Sequence, residues 1–139
     1  MNSQGAPEGQ CRFFRLSSEL GREQINLICK ARGWLAFPPS LASSEEELRL
    51  ASVLAEKSVS SKTSIAHSLQ FEFLLWLSGE REIRKALLKT EFSPNDFFLA
   101  CFGDGCALVP LVLEAKSKPL GLAKKASALE IERISLGRI

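Results

Sequence analysis

The segment Leu69-Gln-Phe-Glu-Phe-Leu-Leu-Trp-Leu77 carries seven apolar side chains in nine residues, and just beyond Ser78-Gly79 the sequence turns basic. Leu69-Gln-Phe-Glu-Phe73 alternates as a strand does, but from Leu74 the alternation is lost. Leu69, Phe73, Trp76 and Leu77 are spaced for one helical face, and Phe71, Leu74 and Leu75 fill much of the other. The spacing therefore predicts a helix over Ala66–Leu77 enclosed by protein, with Phe73 and Leu77 nearly inaccessible. A chain of 139 residues, 45% hydrophobic and with nine Phe, can bury one core of that kind and is most simply one domain.

Around this helix, Cys11–Leu16 and Ile25–Cys29 are short strand candidates. Pro38-Pro39 interrupts regular structure and leads into Ser44-Glu-Glu-Glu47, where Ser followed three residues later by Glu forms a capping box. A helix is expected from there to about Lys57, with Leu50, Ala51, Leu54 and Ala55 as its apolar stripe and its glutamates solvated against the positive end of the dipole. Ser58–Ser64 is a polar linker within the domain. Phe97–Phe102 is a strand apolar on both faces, and Gly103-Asp-Gly105 is expected to reverse it into Cys106–Leu113, with Pro110 at an edge or bulge. After Pro119, the positions Leu122, Ala126, Leu129, Arg133 and Ile134 predict a terminal helix. The expected fold is α+β: a mostly antiparallel sheet of about four strands packed against helices, spanning 11–139 after a flexible tail at 1–10.

Lys+Arg 18 against Asp+Glu 16 leaves a net charge of +2, too weak on its own to imply nucleic-acid binding. From Ala115 onward, however, six cations face two anions. The first ten residues lack the basic and apolar regions of a signal peptide, and Phe73–Leu77 falls far short of the roughly 20 residues that span a bilayer. A cytoplasmic chain without a membrane partner is expected. Cys11, Cys29, Cys101 and Cys106 are read as reduced, buried small hydrophobes, since their spacing does not suit zinc and no metal or cofactor is implied.

Enzyme chemistry is hard to assemble. Gly103-Asp-Gly105 lacks the further glycines and the Lys of a phosphate loop, and a triad would have to use His67, the sole histidine. Glu72, between Phe71 and Phe73, is expected to make a structural pairing, either reaching an Arg or carrying a raised pKa. Past Gly79, Arg81, Lys85 and Lys89 are four apart, Glu80 and Arg84 form an i,i+4 pair, and Ile83, Ala86 and Leu87 point the other way. With Ser78 as its cap, this second helix would dock one face and present a cationic one.

Lys62-Thr-Ser-Ile-Ala-His-Ser68, then Glu72-Phe-Leu-Leu75, then Leu77-Ser-Gly-Glu-Arg-Glu-Ile-Arg-Lys-Ala86 resembles the core signature of the PRPK-binding protein family of KEOPS regulatory subunits. Ser93-Pro-Asn-Asp-Phe-Phe-Leu99 is similar to the turn and strand that follow it, and Leu129–Leu136 more loosely to the family's last helix. His67 stands where Asn is common, and the chain between Val109 and Ala126 is shorter than usual. The resemblance implies a non-catalytic subunit that binds the complex's small atypical kinase or ATPase. It also implies a grip on the single-stranded 3′ end of tRNA, in support of threonylcarbamoyladenosine modification. The family's basic position falls on Lys62, its Glu on Glu72 and its Arg on Arg81.

The expected tRNA-binding residues are Lys62, taken from the resemblance, and Arg81, Arg84, Lys85 and Lys89, because cationic grooves beside apolar platforms hold single strands. Glu72, Phe73, Leu77, Ser78 and Gly79 are structural. The kinase-type partner is expected on Leu129, Ile131, Ile134, Leu136 and Ile139, which are more apolar positions than one inward stripe needs. A rival reading is a helix-turn-helix DNA module with Glu80–Lys89 as recognition helix, against which stand a short turn and the acidic Glu80 and Glu82. A small enzyme built on Glu72 or Cys101 is a third.

Overall fold

The computed structural model describes residues 11–63, 66, 68–103, 105–125, 127, 131 and 134. The elements in order are β1 (Cys11–Ser18), α1 (Arg22–Arg32), β2 (Leu35–Phe37), α2 (Glu45–Ser60), α3 (Leu69–Ser78), α4 (Ile83–Leu87), β3 (Phe97–Phe102), α5 (Val109–Val112) and β4 (Ala115–Lys118). Single 3-10 turns lie at Pro39–Leu41 and Cys106–Leu108. The sheet is antiparallel throughout, in the order β2-β3-β1-β4. The fold is thus α+β with four strands, as expected.

β3 explains why both faces of the sheet are covered. Phe98 and Ala100 point into a core built with Leu48, Ala51 and Ala55 of α2 and Phe73, Leu74 and Leu77 of α3. Phe97, Leu99 and Cys101 point the other way, into a second core with Ile25 and Cys29 of α1, and Val109 and Leu113 around α5. A strand apolar on both sides needs two covers, and the helices divide between them. Phe73 and Leu77 are fully buried.

Two of the expected strands lie elsewhere. Ile25–Cys29 belongs to helix α1: Ile25 and Cys29, four apart, are buried, while Leu27, which a strand would place beside them, is 69% exposed. Gln24 Oε1 accepts the Gly21 N–H at 3.1 Å, and Gly33 at φ 74° closes the helix by donating its N–H to the Cys29 carbonyl. The strands that the expectation lacked are Leu35–Phe37 and Ala115–Lys118. Cys106–Leu113 does not return as a hairpin, because β3 already has β2 and β1 as neighbours and no edge remains. Gly103 and Gly105, at φ 81° and 84°, turn the chain away instead. Pro110 sits in the first turn of α5, where its missing N–H costs nothing.

α2 is capped where expected, with Ser44 Oγ accepting the Glu47 N–H at 3.1 Å. Glu47 is not solvated, however. It is fully buried, and its Oε1 accepts from the Ser43 N–H at 2.8 Å and from Ser43 Oγ at 2.7 Å. The buried stripe runs through Leu48, Ala51 and Ala55 rather than Leu50 and Leu54, which are half-buried, and the helix continues to Ser60 through the expected linker. Glu45 and Glu46 donate their N–H groups to the carbonyls of Ala123 and Lys124, which stitches the helix start to the later chain. Of the terminal-helix residues, Ile131 and Ile134 are helical, Leu122 is not, and Ala126, Leu129 and Arg133 lie outside the described residues, as does the 1–10 tail.

Candidate functional site

The residues carrying the signature build one corner, the passage from α3 to α4. α3 starts after Ser68, which is extended at φ -125° and ψ 151°. Glu72 reaches back over that start, its Oε1 accepting the Ala66 N–H at 2.9 Å. This carboxylate is fully buried and satisfies a backbone donor that the helix cannot. Trp76 donates from Nε1 to Ser58 Oγ at 3.0 Å and so ties α3 to the end of α2.

The far end of α3 is set by Gly79. At φ 75° it forms a left-handed cap whose N–H reaches the Leu75 carbonyl at 3.1 Å, a conformation that a Cβ would oppose. Ser78 closes α3 rather than opening the next helix: its Oγ accepts the Glu80 N–H at 3.3 Å. Glu82 precedes α4, which is only five residues long. Ala86 is fully buried and docks α4, with Ile83 half-buried beside it.

The expected cationic helical face is replaced by a looped one. Arg81 precedes α4 and Lys89 follows it, since the N–H groups of Lys89 and Thr90 turn back to the carbonyls of Ala86 and Leu87 and end the helix. Arg81, Arg84, Lys85 and Lys89 are all exposed, beside Leu87 and Leu88, the latter 80% exposed. Lys85 pairs with Glu82 at 3.1 Å, and this contact raises the lysine's pKa. Lys89 pairs with Glu80 at 2.8 Å and donates to the Ser78 carbonyl at 3.3 Å. Its hydrogen bond holds the Glu80 carboxyl below the ordinary range. Glu80 thus takes Lys89 as its partner rather than Arg84. Among the described residues Arg84 makes no ion pair. Four cations against two carboxylates leave the Glu80–Lys89 segment at +2. Lys62 is exposed at φ 61°, just past the end of α2.

The expected partner surface divides. Ile134 is buried within the chain, which removes it from an exposed interface; Ile131 is half-buried. Leu129, Leu136 and Ile139 lie outside the described residues, as does His67.

Three features were not expected from the sequence. Cys101 and Cys106 form a disulfide, correcting the reading of four reduced thiols; the glycine-bounded turn brings their Cα atoms to 5.7 Å. Cys101 therefore offers no thiolate in this state. Cys11 and Cys29 are free, and burial raises both thiols, that of Cys29 to about 12. Secondly, Arg15, Asp96 and Lys118 form a charge cluster at the end of the sheet. Thirdly, β4, Ala-Lys-Ser-Lys, is a polar edge strand whose only sequence signal is its paired lysines.

Among the described residues, no three His, Cys, Asp or Glu side chains are grouped to hold a metal ion. No helix among them is long and apolar enough to cross a membrane. An open depression of about 1060 Å³ lies between the end of β1 and α5, with Ser17, Leu20, Pro94, Leu111 and Glu114 in its lining. Glu19 and Lys116 also line it. No protein-family model and no curated protein matches the sequence.

Proposed function

We propose that the chain is a non-catalytic subunit of a KEOPS-type complex, binding the atypical kinase or ATPase of that complex and the single-stranded 3′ end of tRNA. The observation that carries this reading is the corner itself. Glu72, Ser78, Gly79 and Ala86, four positions of the signature the chain resembles, each have a physical task there: capping, turning or docking. Arg81, where the signature's Arg falls, is exposed beside them.

In this reading the buried half of the signature holds the corner rigid, and Arg81, Arg84, Lys85 and Lys89 meet phosphate. The exposed Leu87 and Leu88 offer an apolar platform beside them. Lys85 and Lys89 change partners on binding, because Glu82 and Glu80 hold them in the free chain. That exchange makes affinity modest and salt-dependent. The test is twofold: co-purification with a KEOPS atypical kinase, and titration with tRNA that retains or lacks its terminal single strand. Retention of the kinase and preference for intact tRNA support the proposal. Failure of both would remove it.

The DNA-module reading gains one observation. The connection Gly79–Glu82 is four residues long, so the turn is not too short. Its reading helix nonetheless spans only Ile83–Leu87, about 7 Å of axis, and Glu82 stands at its start. Duplex DNA in the same titration separates the two readings.

A further inference from the structure

The Cys101–Cys106 pair belongs to no part of the corner, and it joins the penultimate residue of β3 to the first residue of the segment that follows. Between the two cysteines lie Gly103 and Gly105, both exposed and both in the left-handed region, with open space where a Cβ would stand. The glycines are required by the backbone reversal and not by crowding.

The segment beyond, Cys106–Leu113, is held at two places. At its end, Ser18 Oγ donates to the Leu113 carbonyl at 2.6 Å, and Leu113 is fully buried. At its start the covalent bond to Cys101 is the anchor. Between the two, Val109 enters the core while Leu108 and Leu111 stay 49% and 76% exposed. Between its ends the segment gives the core Val109 and part of Val112, with Leu108 and Leu111 outward, so its hold on the sheet depends largely on its ends.

We propose that Cys101 and Cys106 are a reversible redox pair, exchanging with small-molecule disulfides of the glutathione class, and that their oxidation state sets how firmly Cys106–Leu113 is held to the sheet. In the closing direction the Cys106 thiolate, the less buried of the two, attacks the disulfide and expels one thiolate, which takes up a proton. Cys101, deprotonated in turn, attacks the mixed disulfide at Cys106 and expels the second. Two protein thiols are oxidised and one glutathione disulfide is reduced to two thiols. Opening is the reverse, driven by two equivalents of thiol. The open state has a place for its proton, since the Gly103 carbonyl, 3.3 Å from Cys106 Sγ in the closed form, is positioned to accept an S–H there.

The other two cysteines are poor competitors. Cys11 packs on the opposite face of the sheet. Cys101 and Cys106 are as buried as Cys29, but they flank the exposed Gly103 and Gly105, whose opening admits a small disulfide, whereas Cys29 sits within α1 and burial raises its thiol to about 12. The exchange is therefore confined to Cys101 and Cys106.

The experiment uses the full chain equilibrated in glutathione buffers of varied ratio, trapped by alkylation and mapped by mass spectrometry, with amide hydrogen exchange followed in both end states. Expected are a single two-electron transition confined to Cys101 and Cys106, and exchange at 106–113 at least tenfold faster in the reduced form, with α2 and α3 unchanged. The Cys101→Ser/Cys106→Ser variant, checked for folding by circular dichroism, should match the reduced form. If that variant fails to fold, reduced wild type supplies the comparison. The proposal is overturned if the bond never forms in oxidised glutathione, if it resists excess thiol until the chain unfolds, or if exchange at 106–113 is the same in both states. Because it is read on the isolated chain, its failure is distinct from failure of the KEOPS reading.

Discussion

Arg15 on β1 grips Asp96, 81 positions later, with two parallel bonds, Nε to Oδ1 at 2.7 Å and Nη2 to Oδ2 at 2.8 Å. The same guanidinium donates from Nη1 to the Leu120 carbonyl at 2.9 Å and lies over the Phe98 ring at 5.5 Å. One side chain thus joins the first strand, the turn before β3 and the chain after β4. The Arg15 hydrogen bond, and after it the charges of Arg15 and Lys118, hold the Asp96 carboxyl below its ordinary range. A depressed folded value means that the contribution is whole above the unfolded carboxylate value, about 3.9, and is lost as pH falls below it. Asp96 is 38% exposed, so solvent screens the pair to about 0.5–1 kcal/mol. Denaturant midpoints of wild type and Asp96→Asn should differ by that amount at neutral pH and converge under acid. A gap that widens in acid would show that the pair does not set the shift.

Phe73 is fully buried among Phe13, Phe37 and Phe102, with ring centroids 5.7, 6.0 and 5.5 Å away. Phe73→Ala should cost ~3–5 kcal/mol in equilibrium unfolding. A loss under about 1 kcal/mol would mean that the surrounding rings close the space, contrary to a rigid aromatic core.

Ile134 and Ile131 make a discriminating pair. Ile134→Glu places a charge in a site with no exposure and should unfold the isolated chain, seen as loss of the cooperative thermal transition. Ile131→Glu, at a half-buried position, should leave the chain folded and weaken co-purification with a KEOPS kinase. Undiminished kinase capture by the Ile131 variant would move that surface elsewhere.

Arg81, Lys85 and Lys89 changed together to Glu should abolish tRNA binding without altering the fold, since all three are exposed. The converse variant, Glu80→Gln with Glu82→Gln, releases Lys89 and Lys85 from their partners and should tighten binding. Each recovered phosphate contact should steepen the salt dependence by about 0.7 in log–log slope. Affinities that ignore both variants at matched salt would mean that the face is only solvated.

The buried elements were legible in the sequence where one pattern had one solution. Phe97–Phe102 has no polar position to face water, so it had to be a strand with two covers, and Ser44 with Glu47 marked the start of α2 to the residue. The failures came where short patterns fit two periods. Ile25, Leu27 and Cys29 satisfy a strand as well as a helix does, and only the neighbours decide which of them is inside. β4 buries almost nothing, so hydrophobic patterning could not find it; its place is set by pairing with Arg15–Ser18. The corner's charged residues were identified as exposed, but their ion pairs depend on where α4 stops. That is decided by i→i+3 turns at Lys89 and Thr90 that composition does not specify. The disulfide was invisible for a related reason: four intervening residues say nothing until the two glycines are known to take left-handed conformations.

β1 pairs with β3 from Cys11–Phe102 to Leu16–Phe97 and with β4 from Arg15–Lys118 to Ser18–Ala115, so it is synthesised well before either of its partners. During translation α1, β2, α2 and α3 emerge with their apolar faces before β3, the strand that joins β2 to β1, is made. The nascent chain must keep the Phe13, Phe37 and Phe73 side chains from foreign contacts until β3 arrives, which makes shielding during synthesis a requirement of this topology. It also sets a slow step, because closing so long a loop before any sheet contact rewards it is what retards non-local folds.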